Sequence, residues 1–78
     1  MTIKHLRIFT EVCRQGSATR AAEALHMTQP AVSRAIREME DYYHLRLFER
    51  DNQRLKLTEC GHIFSERAAR LVSEFDLL

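Results

Sequence analysis

Two helix-start signals eleven residues apart constrain the fold of this chain most strongly. Ser17 and Thr28 each precede an apolar-periodic segment, and both residue types cap helices by accepting a hydrogen bond from a free amide of the first turn. Pro30 falls in the first turn after Thr28, where its missing amide proton breaks no bond. One short helix and the connector 26–28 fill the space between the two caps. The sequence therefore predicts two helices joined by a tight turn.

Periodic apolar residues predict the helices on either side of this turn. The first helix has an apolar stripe at steps of three and four residues, formed by Ile3, Leu6, Phe9, Val12 and Cys13. Gly16 ends this helix, and the following helix, 18–25, is rich in alanines that allow close helix approach. The helix after the turn has one apolar face, made of Val32, Ala35, Ile36 and Met39. Gln29, Ser33 and Arg37 repeat on its other side, which we expect to face outward.

The remainder of the chain predicts a hairpin and a long helix. Two short segments, Leu47–Arg50 and Arg54–Leu57, are separated by the polar stretch 51–53 and favour a minimal hairpin. Thr58 then caps a helix that runs to the end of the chain. Its apolar residues follow a heptad seam through Phe64, Ala68, Leu71, Phe75 and Leu78. Ile63 and Val72 widen this seam towards the core side.

These elements define the predicted fold class, since 78 residues can bury only one small core. The prediction is a mainly α winged helix-turn-helix, with three helices plus a two-stranded β-hairpin wing, followed by a linker or dimerisation helix. We expect residues 1–58 to form the winged helix-turn-helix domain and residues 59–78 to form the linker helix.

The charges are distributed unevenly along the chain. The formal net charge is only +1, but residues 1–58 carry +3 and residues 59–78 carry −2. This asymmetry is mild for a nucleic-acid binder, so geometry has to support a functional prediction.

The helix after the tight turn has the side chains that fit a DNA major groove, which admits one α-helix. Gln29 and Ser33 can hydrogen-bond base edges, and Pro30 can touch a thymine methyl group. Arg34 and Arg37 can reach guanine or phosphate from the same part of the helix. This helix is therefore the predicted recognition helix.

Neighbouring elements offer contacts to the DNA backbone. The start of the second helix provides free amides, hydroxyl groups and a guanidinium, which suit a phosphate. The hairpin carries long cations that can lie over the backbone or enter a narrowed minor groove. The complete predicted DNA-binding set is Ser17, Thr19, Arg20, Thr28, Gln29, Pro30, Ser33, Arg34, Arg37, Arg50, Asn52 and Arg54.

Simpler interpretations exist for the same residues. Arg34 with Glu38, and Arg37 with Asp41, are spaced i, i+4 and could form solvated ion pairs. The exposed helix face could instead bind a partner protein. An enzyme is disfavoured, because the sequence has no nucleophile with a suitably spaced base and no phosphate-binding glycine loop. The ordered combination of cap, turn, early proline, polar face and basic hairpin favours the DNA interpretation.

The remaining residue types predict neither a metal site nor a cofactor in this chain. Cys13 and Cys60 are far apart, and packing as small apolar residues on helices is favoured over the alternative of a redox switch. The four histidines have no i, i+3 or i, i+4 partner. No signal-like or membrane-length apolar segment occurs. A reducing cytoplasm is the expected location, and no membrane partner is expected.

The sequence resembles the N-terminal domain of LysR-type transcriptional regulators over nearly all of its 78 residues. The matching motifs are Gly16-Ser17, Ala21-Ala22-Glu23, Leu25, Thr28-Gln29-Pro30-Ala31-Val32-Ser33, Ile36, Leu47-Phe48-Glu49-Arg50 and Leu57-Thr58-Glu59 followed by Gly61. The sequence departs from the family pattern at Tyr43-His44, where a glycine is common, and at Cys60, where alanine is commoner. We expect a longer or differently capped helix end near His44.

The resemblance implies bacterial transcription regulation by sequence-specific binding to double-stranded DNA. Positions matching Gln29, Pro30, Ser33, Arg34 and Arg37 read or flank the bases in this family, and those matching Arg50 and Arg54 belong to the wing. It also implies a C-terminal domain that binds a small-molecule effector, so the chain is expected to be a fragment. RNA polymerase is an expected partner.

The resemblance further implies that the final helix pairs antiparallel with its twin, in agreement with the heptad seam. The DNA site is then an interrupted inverted repeat, and the full-length protein could form a higher oligomer. Phe64 and Ile63 lie near the core and could equally pack on their own domain. Leu71, Phe75 and Leu78 are expected to lie too far out for that.

Overall fold

The computed structural model describes residues 1–52 and 54–78, so Gln53 of the predicted hairpin turn lies outside the described residues. Its elements follow in the order α1 Ile3–Gln15, α2 Ala18–Leu25, α3 Gln29–Tyr43, β1 Phe48–Asp51, β2 Arg54–Leu57 and α4 Glu59–Asp76. The prediction of a winged helix-turn-helix followed by a fourth helix is confirmed.

The helix ends lie where the cap residues predict them. In the three predicted N-caps the side-chain oxygen accepts a hydrogen bond from the amide three residues on: Ser17 from Arg20 (3.2 Å), Thr28 from Ala31 (3.3 Å) and Thr58 from Gly61 (3.0 Å). Gly16 ends α1 with a left-handed φ of 68°. His44 ends α3 in the same conformation, with a φ of 56°, and its amide donates to the carbonyl oxygen of Glu40. The helix end that lacks the usual glycine therefore keeps a left-handed cap, although a side chain is costly there.

The core lies where α1 meets all three other helices and the start of the wing. Phe9 is fully buried at its centre, with its ring centroid 5.3 Å from that of Phe48 and 5.0 Å from that of Phe64. The predicted inner face of α3 is confirmed, since its four apolar residues are all buried: Val32, Ala35, Ile36 and Met39. The opposite face of α3 is thereby directed away from the core.

The wing is an antiparallel two-stranded sheet whose register runs from Phe48↔Leu57 to Asp51↔Arg54. The first strand thus begins and ends one residue later than the predicted Leu47–Arg50. Leu47 lies outside the ladder because its amide donates to the carboxylate of Glu40 at 2.7 Å instead of to the opposite strand, although its carbonyl oxygen still accepts the amide of Thr58 at 3.0 Å. The predicted connector 51–53 is correspondingly shorter, since Asp51 belongs to the strand.

The first half of α4 packs into the core that the other helices form. Gly61 is buried against Leu47, whose carbonyl oxygen would overlap a β-carbon at position 61. Phe64 packs on Phe9, and Ala68 is only 1% exposed. The predicted domain division after Thr58 remains a prediction. Ala68, predicted to line a dimer seam, lies instead inside the core of its own chain, because its small side chain lets α4 pack closely there.

Candidate nucleic-acid interface

The polar face of α3 lies on the outside of the helix-turn-helix unit. The connector turns sharply at His26, which has a left-handed φ of 56°, and the amide of Met27 donates to the carbonyl oxygen of Ala22 at 2.9 Å. Ala21 and Ala22 are buried, so α2 can approach α3 closely. This packing orients the start of α3 toward solvent.

The predicted base-reading residues are accessible on this face. Pro30, Arg34 and Arg37 are exposed, whereas Gln29 and Ser33 are half-buried. The side-chain amide nitrogen of Gln29 donates a hydrogen bond to the hydroxyl of Ser33 at 2.6 Å. The two polar side chains are therefore held together one helical turn apart.

The wing is fixed to the helix-turn-helix unit at both strands. The amide of Leu55 in β2 donates to the carbonyl oxygen of Gly16 at 3.1 Å. On the other strand, the carboxylate of Glu40 accepts the amides of Leu47 (2.7 Å) and Phe48 (3.3 Å). These bonds tie β2 to the start of α2 and β1 to the end of α3.

This arrangement produces three adjoining depressions that share residues. The first lies between α3 and the wing and is lined by Ser33, Arg37, Arg46 and Arg50, among others. The second is lined by Arg50 together with Ser17, Thr19, Arg20 and Gln29. The third joins Ser17 and Arg20 to Asn52 and Arg54. We call the surface formed by these residues the polar groove.

Nine of the twelve predicted DNA-binding residues line the polar groove. The other three, Thr28, Pro30 and Arg34, are exposed at or near the start of α3 but do not line it. Thr28 uses its hydroxyl as the N-cap of α3. The fold thus brings residues from three separate segments onto one surface.

The arginines of this surface do not form the ion pairs that the simpler interpretation requires. Glu38 lies against His5 of α1, with Oε1 3.0 Å from Nε2, rather than against Arg34. Within the described residues, neither Arg34 nor Arg37 has a carboxylate within ion-pair distance. The bond to His5, and more weakly the charge of Arg34, hold the pKa of Glu38 below its usual value. Both guanidinium groups therefore remain available to an anion.

Sequence reasoning missed Arg46, which lines the first depression beside Arg37 and Arg50. Its carbonyl oxygen is fixed by the hydroxyl of Thr58 (2.6 Å) and the thiol of Cys60 (3.1 Å). A cation directly before the first wing strand is the sequence feature that indicates Arg46, whereas the predicted wing contacts all lie inside the hairpin. Three carboxylates also line this depression: Glu40, Asp41 and Glu49.

The predicted dimerisation residues are divided between core and surface. Phe64 and Ala68 pack inside the chain, and Val72 is half-buried. Leu71, Phe75 and Leu78 are exposed, and they line an apolar groove together with Ile3 and Leu6 of α1. The last turns of α4 run along α1, so these three side chains border their own domain without being buried by it. Their pairing with a second copy stays a prediction.

Cys13 and Cys60 are both half-buried thiols that form no disulfide with each other. Burial raises the pKa of the Cys13 thiol to about 11, which keeps it protonated near neutral pH. In the described part of the chain, no group of His, Cys, Asp and Glu side chains is arranged to hold a metal. Likewise, none of the described helices is long and apolar enough to span a membrane.

A tight turn between two helices, an outward polar helix face and a two-stranded hairpin beside it define a winged helix-turn-helix protein. Residues 3–62 match the model of the family described as bacterial regulatory helix-turn-helix protein, lysR family. The chain therefore belongs to the lysR family, which confirms the resemblance seen in its sequence.

Individual relatives agree with this assignment. The chain is 45% identical over 65 residues to the HTH-type transcriptional regulator PcaQ of Agrobacterium fabrum, covering 83% of this chain and 21% of that protein. It is similar to the BenM DNA-binding domain in complex with catB site 1 DNA, with a TM-score of 0.95, 38% identity, and coverage of 99% of this chain and 86% of that one. The CbnR DNA-binding domain in complex with DNA gives a TM-score of 0.93 and 32% identity, covering 97% and 87%. The chain spans about a fifth of the length of curated relatives such as PcaQ.

Proposed function

We propose that this chain binds double-stranded DNA sequence-specifically as part of a bacterial transcription regulator. Helix α3 lies in the major groove, and the wing lies on the backbone or in the adjacent minor groove. The observation that carries this proposal is the polar groove, where Gln29, Ser33 and Arg37 of α3 share one surface with Arg50 and Arg54 of the wing. The similar structures of the BenM and CbnR DNA-binding domains were determined in complex with DNA, which supports DNA binding by the polar groove of this chain.

Residues at the start of α3 contact the bases. Among the described residues, the Gln29 side chain keeps its carbonyl oxygen and one amide proton free while it donates to Ser33. A glutamine that offers one acceptor and one donor matches the pattern of adenine N6 and N7 in the major groove. Ser33 thus restricts the rotamers of Gln29 and lowers the entropy lost on binding.

The start of α2 and the wing contact the phosphates. The hydroxyl of Ser17 already caps α2, while within the described residues no hydrogen bond occupies the exposed side chains of Thr19 and Arg20 at this helix end. A helix N-terminus favours an anion through its free amides and its dipole. Because β2 is bonded to Gly16, Arg54 lies beside this end of α2. The two cationic segments then hold successive phosphates and set the depth of α3 in the groove.

We extend the proposal to a homodimer formed through α4. The exposed side chains of Leu71, Phe75 and Leu78 form an apolar surface that a second copy of the helix can cover. A two-fold dimer presents two recognition helices, so its DNA site is an interrupted inverted repeat. In the full-length protein we expect an effector-binding domain, higher oligomers, contact with RNA polymerase and a cytoplasmic location.

Binding to duplex DNA as a function of salt tests the proposal. We expect affinity to fall steeply as salt rises, because counterions leave the phosphates, and Arg50→Ala to lower both the affinity and the slope. Arg67→Ala is the control, since this exposed residue of α4 lies outside the polar groove. Gln29→Ala should cost about 1–3 kcal/mol at one base position and leave binding to random duplexes nearly unchanged.

Two outcomes would contradict these roles. A response to salt that stays flat would favour a surface that binds a partner protein. Equal losses for Gln29→Ala on selected and random duplexes would remove base reading from this residue.

A further inference from the structure

One arginine of α1 holds the last turn of α4. The guanidinium of Arg7 donates to both carboxylate oxygens of Asp76, one of them at 3.3 Å. The same guanidinium lies over the ring of Phe75, with Cζ 5.7 Å from the ring centroid. Two-point carboxylate binding fixes the direction of an arginine side chain as well as its distance, and the ring supports its other side.

The second half of α4 has few other attachments. Up to Ala68 the helix is fixed by the Thr58 cap, the close approach of Gly61 and the burial of Phe64. Beyond Ala68, the bonds from Arg7 are the only side-chain hydrogen bonds that join α4 to another element within the described residues. Apolar packing there is thin, since Leu71 is 56% exposed and Phe75 is 47% exposed.

We infer that Arg7 and Asp76 form a latch that fixes the direction of the second half of α4 relative to the recognition domain, and thereby sets the half-site spacing that the dimer accepts. This inference rests on the dimer proposed above. Neither residue of the latch contacts DNA. Both are positioning residues, because they determine the position of the second recognition helix. The polar groove is formed by other residues and does not depend on them.

Small changes in the angle between α4 and the recognition domain matter because the two recognition helices of the proposed dimer lie far apart. Asp76 lies eight residues beyond Ala68, about 12 Å along a helix with a rise of 1.5 Å per residue. Two recognition helices that lie one DNA turn apart are separated by ~34 Å. If α4 tilts by roughly 6°, the second recognition helix moves by about 3.4 Å over this distance, which is one base-pair step. A latch that limits the tilt therefore limits the tolerated spacing.

Binding to inverted repeats of different spacing tests the latch. The half-site is first defined by selection from random duplexes, and repeats are then made at the preferred spacing and with one or two base pairs added or removed. We expect Arg7→Gln and Asp76→Asn to bind a single half-site normally but to reduce discrimination between spacings by about threefold to tenfold. Arg14→Gln is the control, because it removes an ion pair with Glu11 on the same helix and should leave the spacing profile unchanged.

Two further measurements separate the latch from a loss of folding. The exchanged pair, Arg7→Asp with Asp76→Arg, should restore discrimination, since the charges attract in either order. Amide hydrogen exchange at 72–76 should be faster in each single variant and unchanged in α3.

The possible failures are distinguishable. If the wild-type chain binds an inverted repeat no more tightly than a single half-site, both the dimer and the latch are refuted; if it binds the repeat more tightly but shows no preferred spacing, the latch alone is refuted. If the wild type has a preference that both single variants keep, or if exchange at 72–76 does not change, the latch alone is refuted and the dimer stands.

Discussion

The carboxylate of Glu40 accepts the backbone amide of Leu47 at 2.7 Å, and this contact joins the end of the recognition helix to the start of the wing. The same oxygen accepts the amide of Phe48 at 3.3 Å, the first residue of β1. Leu47 is fully buried, so these amides have little access to water. One side chain therefore satisfies two donors and sets where the wing begins relative to α3.

Glu40→Ala should destabilise the fold and displace the wing. Leaving part-buried amides without a partner costs about 1–3 kcal/mol of unfolding free energy. Thermal unfolding measures this loss, and Glu23→Ala on the exposed part of α2 is the matched control. DNA affinity should also fall, since Arg50 follows the displaced strand start. An unchanged melting temperature in Glu40→Ala would show that the amides find other partners.

Arg46→Gln should weaken binding to selected and random duplexes equally. Arg46 is exposed beside Arg37 and Arg50 and lies before the strand that enters the wing, so we assign it a phosphate contact rather than a base contact. Loss of one such contact should lower the slope of log affinity against log salt by about one. The measurement is a salt titration with both duplexes, and Arg67→Gln should leave the slope unchanged. A loss confined to the selected duplex would instead make Arg46 a base-reading residue.

Local signals in the sequence predict the helix boundaries and the outward face of α3 well. Ser17, Thr28 and Thr58 act as caps through bonds to residues three positions on, so the information lies within one turn. The alternation of buried and polar positions on α3 is also local. The polar groove follows from these elements once their order is known.

Contacts between distant residues explain what the sequence does not predict. The one-residue shift of β1 depends on Glu40 of α3, whose carboxylate binds the amide of Leu47. The pairing of Glu38 with His5 joins residues 33 positions apart, while the sequence suggested Arg34. A heptad pattern predicts that Ala68 faces an apolar surface, but it does not distinguish a second copy of the helix from the core of the same chain. In the structure, Ala68 packs in the core of its own chain.

His44→Gly should stabilise the chain. His44 has a φ of 56°, a region where a side chain costs roughly 1–2 kcal/mol and where glycine has no steric penalty. The greater entropy of glycine in the unfolded chain offsets part of this gain, so we expect a net gain of about 0.5–1 kcal/mol. For a domain of this size, such a gain raises the melting temperature by about 2–8 °C. His44→Ala keeps the strained backbone and should give no gain; equal effects of both variants would show that the strain is not the cause.

Leu71→Asp together with Phe75→Asp should convert the proposed dimer into monomers. Both side chains are about half exposed in the single chain, so charging them costs less in a monomer than in a dimer, where a paired helix would bury the charges without partners. Sedimentation velocity measures the change in mass, and circular dichroism shows whether the fold persists. Ala69→Asp adds a charge to an exposed position on the opposite side of α4 and should leave the dimer intact. Affinity for a single half-site should stay the same in all variants, because α3 and the wing are unchanged, while affinity for an inverted repeat should fall as the second recognition helix is lost. A double variant that still sediments as a dimer would place the contact on another surface.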